Sequence, residues 1–188
     1  MKTHYIASAV LAALCLGSMS ATAAIKSGKF RTESNLPAVR TGTPLVLSAT
    51  AQLNAAADEL TGANLLSNPD AWGGGIVHMD LDKATNILTL KAQDSWDFQT
   101  FHAQVLSMKF TEANESVCGI SYLDGAITTP DIAPTVTFAD TGVAVSYAVQ
   151  DVPGFAYFNF VAGGTARFQI QTCVPTAAQQ APAAGRNR

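Results

Sequence analysis

From Ile76 onward, stretches in which apolar and polar residues alternate are separated by short clusters of turn-forming residues, a pattern that confines the chain to β-structure. Residues 76–81 and 87–92 alternate on either side of Asp82, Lys83, Ala84, Thr85 and Asn86, which predicts a hairpin. Residues 135–139 and 143–149 flank Asp140, Thr141 and Gly142 in the same way. Residues 155–161 and 166–174, around Gly163 and Gly164, suggest a third hairpin. A further strand is expected over 117–123, closed by Asp124 and Gly125. The run 98–110 has the length of one strand but changes phase. Phe101, Ala103 and Val105 share one parity, and Leu106, Met108 and Phe110 share the other. One extra residue in a β-bulge near 104–106 would return both halves to the same face.

Residues 45–53 also alternate, yet they run into Ala55, Ala56, Ala57, Asp58, Glu59 and Leu60, whose composition suits a short helix over about 51–60. Residues 64–75 read as a loop, with Asn68, Pro69 and Asp70 and the glycines 73–75 as breakers. About eight strands with at most one short helix make the expected class all-β, an antiparallel β-sandwich of jelly-roll or immunoglobulin-like kind. A closed β-barrel uses the same alternation and is the alternative.

The start of the chain is of another kind. Met1 and Lys2 precede an apolar run over 6–16, and Ala21, Thr22 and Ala23 follow it, the three parts of a secretory signal peptide over 1–23. The run is shorter than the roughly 20 residues of a membrane span. Leu14 before Cys15 argues against a lipid attachment site. The expected location is therefore secreted or periplasmic, with association at the cell surface compatible with it. Residues 24–44 mix bases, Ser, Gly and two prolines and are expected to form an extended N-terminal arm; 45–174 is the β-sandwich domain, and 175–188 a disordered tail. Removal of Cys15 leaves Cys118 and Cys173, which should pair in an oxidising compartment. Closing their loop of about 55 residues is worth roughly 4 kcal/mol in the chain-entropy description.

Charge is uneven. Residues 41–166 carry three bases (Lys83, Lys91, Lys109) against thirteen acids, while the remaining bases collect towards the two ends. An acidic body lacks the basic stripe of a nucleic-acid binder. It would suit self-association, or contact with another surface protein, through a basic segment meeting an acidic face.

Three sets of residues carry candidate chemistry. His78, Asp80 and Asp82 fall on one face of a strand and could hold a divalent cation, although Asp82 also begins a turn. The EF-hand pattern fails, because Thr85 stands where its glycine belongs and Lys91 where its bidentate glutamate belongs. Trp72, Asp94, Trp96 and Asp97 place loop aromatics beside carboxylates, an arrangement that can hold a sugar ring; the same tryptophans could simply cap the core. No nucleophile elbow, zinc-protease helix or phosphate loop occurs in the sequence. Beyond the divalent cation, nothing suggests a cofactor. The expected function is a secreted non-enzymatic module with a structural or interaction role, as a surface, filament or adhesion component. A carbohydrate or small-ligand binding domain is the alternative, and a small secreted hydrolase is less favoured.

Overall fold

The computed structural model describes residues 25–35, 44–54, 56–68, 76–149 and 153–174. The expected signal peptide, Trp72 and the expected tail lie outside the described residues. The described residues form eleven strands: β1 (Ile25–Asn35), β2 (Leu45–Gln52), β3 (Leu65–Ser67), β4 (Val77–Asp82), β5 (Ile87–Ala92), β6 (Asp97–Phe98), β7 (Thr100–Phe110), β8 (Ser116–Thr129), β9 (Thr135–Ala139), β10 (Gly142–Ala148) and β11 (Phe158–Cys173). Sheet 1 runs β3-β2-β1-β7-β10-β9. Sheet 2 runs β4-β5-β11, with β8 pairing the other side of β11 and β6 pairing its first residues. The two antiparallel sheets pack face to face and do not close into a barrel. The sequence alternatives therefore resolve to a β-sandwich.

The core follows from the period of two. Met79 and Leu81 of β4 face Leu90 and Leu88 of β5, and these face Ala166 and Phe168 of β11, all buried. From sheet 1 come Phe30, Leu47, Phe101, Ala103, Val105, Val145 and Tyr147. The layers meet where Phe101 sets its ring edge-on to Phe160 of sheet 2, with centroids 4.9 Å apart. Each such buried aromatic contributes about 2 kcal/mol by leaving water, with an increment for the edge-to-face geometry.

Four local features depart from the sequence reading. Residues 25–35, expected in an extended arm, form β1, which lies between β2 and β7 and sends Ile25 and Phe30 into the core. Among the described residues of 51–60 no helix forms: β2 continues to Gln52, and a 3-10 turn follows at Gly62–Asn64. The phase change in β7 is a bulge, centred on Ser107 rather than on 104–106. There Gly28 alone spans the β1 side between Lys29↔Leu106 and Ser27↔Lys109, and Ser107 adopts φ 53°.

The fourth concerns the two glycine signals. Gly163 and Gly164 do not turn a hairpin, and Asp124-Gly125 does not end a strand; β8 and β11 run past them as one long pair. Residues 161–164 bulge opposite the single Ile127, between the pairs Phe160↔Thr128 and Thr165↔Ala126. Gly125 has φ 109°, and a Cβ there would sit 2.2 Å from the Thr165 carbonyl oxygen, so only glycine permits this approach. Cys118 and Cys173 are joined in a disulfide across this strand pair, with Cα atoms 5.8 Å apart.

Candidate functional site

Two places on the sandwich gather polar or aromatic side chains. The first lies along β4, an outer strand of sheet 2. Its alternation buries Val77, Met79 and Leu81 and turns His78, Asp80 and Asp82 away from the core. The pairing His78↔Lys91 brings a lysine from β5 onto the same face. The chain after β2 then returns along the free side of β4. Leu60 and Met79 exchange backbone hydrogen bonds, Leu60 N–H to Met79 C=O at 3.2 Å and Met79 N–H to Leu60 C=O at 3.0 Å.

This return positions Asp58 and Glu59. Lys91 Nζ donates to Asp58 Oδ1 at 2.7 Å and to Asp80 Oδ2 at 2.8 Å. His78 Nε2 accepts the Gly62 N–H at 3.2 Å, which places the ring proton on Nδ1, 3.0 Å from Asp58 Oδ2. Beneath this layer the buried Glu59 accepts the Leu81 N–H at 2.8 Å and the Asn54 N–H at 3.1 Å. Desolvation pushes the Glu59 carboxyl above its usual value, against the opposing pull of those two N–H donors. For Asp58, burial acts upward but is outweighed by hydrogen bonds from Lys91 and His78, and its carboxyl is lowered. Burial likewise disfavours charge on Lys91, yet Asp58 and Asp80 prevail and raise it.

The chemistry of this cluster is therefore that of a closed ion-pair network. His78 and Asp80, predicted as cation ligands, share the cluster, but the Lys91 ammonium already bridges Asp58 and Asp80. Asp82 does not join them. Its Oδ1 accepts the Ala84 N–H at 2.7 Å within the β4–β5 turn, and that bond lowers its carboxyl. Among the described residues no three His, Cys, Asp or Glu side chains are grouped as metal ligands.

The second place is a cleft of about 440 Å³ beside the start of β11, walled by Thr129 and Pro130 on one side and by residues 154–157 and Asn159 on the other. Gly154 turns the backbone with φ 87°, and the segment after it holds Phe155 and Tyr157 at the surface, 53% and 44% exposed. In a sandwich whose other phenylalanines are mostly buried, two exposed rings two residues apart are unusual. Asn159 lies in register with Asp97 of β6 and donates its Nδ2 to Asp97 Oδ1.

The predicted ligand-contact residues divide accordingly. Trp96 packs against the core, and its carbonyl accepts the Phe160 N–H. Asp97 stands one side chain behind the cleft wall, holding Asn159. Asp94 is exposed and bonds the N–H of Ser95 at 2.7 Å. The residues that sequence reasoning missed are Asp58, Glu59 and Lys91 at β4, and Phe155, Tyr157 and Asn159 at the cleft. For Phe155 and Tyr157 a signal existed: with Phe158 and Phe160 they make an aromatic run denser than one buried strand face needs. Comparison with protein families, with curated proteins and with solved structures returned no match to this chain.

Proposed function

We propose that this chain is a non-enzymatic module working outside the cytoplasm, a surface, filament or adhesion component that acts by contact between copies. The disulfide supports an oxidising compartment, and the leader pattern of residues 1–23 agrees with export.

The observation that carries the reading is the unequal finish of sheet 2. The β4 side is covered by residues 58–60, whereas β8 has β11 as its sole strand partner among the described strands. Past Val117, whose N–H the Asp140 carbonyl takes up, the outer side of β8 has no strand partner among the described strands, and such a side is a template for adding another strand. Residues 121–126 of β8 are exposed and include Tyr122 and Leu123. Antiparallel pairing with a second copy, centred between Tyr122 and Leu123, sets Asp124 opposite Ser121, so no like charges oppose. Such pairing rests on backbone hydrogen bonds and is insensitive to salt, unlike a charge-driven dock screened over about 8 Å.

Light scattering on the chain from Ala24 onward, across a salt series, tests this. A dimer or larger assembly that persists at high salt and is lost in Leu123→Lys is expected. A monomer at concentrations up to about 1 mM, where even millimolar affinity would register, overturns it. So does an assembly that Leu123→Lys leaves intact.

A further inference from the structure

We propose that the cleft beside β11 binds a neutral hexopyranose, stacked on Tyr157 and Phe155 and hydrogen-bonded by the Asn159 carboxamide. Its walls carry aromatic, small and hydroxyl or amide residues and no charged side chain, so they favour a ligand without net charge. The volume of about 440 Å³ lies within the ~300–1,000 Å³ of small-molecule clefts. A pyranose presents a flat face of C–H groups rimmed by hydroxyls. Exposed rings match the face, and an amide, which both donates and accepts, matches the rim.

Preorganisation is the second argument. An asparagine at an open surface would lose rotamer freedom on gripping a ligand, but the bond from Asn159 Nδ2 to Asp97 has already fixed this one. The β6–β11 register holds both partners, since Asn159 and Asp97 are direct neighbours in the sheet. Asp97 is thus a positioning residue. Tyr157 and Phe155 remain half-exposed at a cost that a bound sugar would relieve.

This inference is independent of edge pairing along β8, because a monomer retains the whole cleft. The test is a series of amide-resolved NMR titrations of the chain from Ala24 onward with methyl β-D-glucopyranoside, methyl β-D-galactopyranoside, methyl α-D-mannopyranoside and N-acetylglucosamine. Each is taken to about 50 mM, which reaches dissociation constants in the millimolar region. At least one sugar should shift the amides of Tyr157 and Asn159. Tyr157→Ala, at an exposed position where the fold tolerates change, should weaken that sugar about tenfold, and Asp97→Ala should weaken it less while leaving the stacking shifts at Phe155. No shift at the cleft with any of the four sugars overturns the proposal. So do shifts that Tyr157→Ala does not alter, which would put the sugar elsewhere than on the aromatic stack.

Discussion

Along β4 the backbone donors of Met79 and Leu81 are taken up by Leu60 and by the Glu59 carboxylate, whereas β8 pairs with no described strand but β11, and outside that ladder the Asp140 carbonyl takes up the Val117 N–H near its start. The two margins belong to one sheet, yet they are finished by different means. The β4 side is held noncovalently, by a strap of chain whose acids answer both the strand's N–H groups and Lys91. The β8 side is held to its inner neighbour covalently, by Cys118–Cys173, and by two glycine-dependent bends. A margin closed by a strap cannot accept another strand; one anchored from within can.

Three experiments press on this contrast. The largest effect should come from Cys118→Ser with Cys173→Ser, which removes the staple and should lower unfolding free energy by about 4 kcal/mol. Hydrogen exchange should then rise along β8 and leave residues 58–60 and β4 protected. Equal loosening of both margins would abolish the distinction between them.

Next is Glu59→Ala. It strands the buried Leu81 N–H and leaves the N–H of the exposed Asn54 to water, and about 1–3 kcal/mol should be lost in urea unfolding. Glu59→Gln sharpens the point through pH. A carboxyl raised in the folded chain binds its proton more tightly there than when unfolded. The native protein should therefore lose stability as pH climbs from about 4.5 to the raised native value, and the amide variant should be flat across that window.

The smallest effect belongs to Lys91→Met, which keeps the aliphatic stem and removes the charge. The pairs are a fifth to a third exposed, so less than about 1 kcal/mol should be lost at neutral pH. Asp58 is lowered in the folded state, so its stabilisation is present above the unfolded carboxylate pKa and fades as pH falls through the native one. Without Lys91 that fading should begin at higher pH in acid titration of stability.

Hairpins β4–β5 and β9–β10 were legible because their turns are local and their faces alternate plainly. β1 was not, and its buried face explains why: Ile25, Ser27, Gly28, Phe30, Thr32 and Ser34 go inward, so small polar residues interrupt the apolar signal. Gly163-Gly164 misled for a different reason. A glycine pair serves a turn and a bulge equally well, and only the partner strand decides between them. At the candidate sites, His78 and Asp80 could be placed on one face from their spacing. Asp58 and Lys91 could not be joined to them, since their meeting depends on a return of the chain that no local pattern encodes. Alternation assigns 155–161 to a strand, but Phe155 and Tyr157 lie at the surface and β11 begins only at Phe158.

The placing of β1 and β11 has a consequence for the order of events in folding. The first described strand is an interior strand of sheet 1, and the last is the interior strand of sheet 2 on which β5, β6 and β8 all depend. Until β11 is synthesised, β8 has no ladder to join, and the apolar face of sheet 1 has little more than the β4–β5 hairpin to cover it. A growing chain thus cannot store its progress in a finished half. Nearly all the gain arrives in one late, cooperative step that links distant parts of the sequence, which makes acquisition of the native state slow relative to locally connected folds. An arrested or C-terminally clipped chain would stay open rather than settle into a stable fragment.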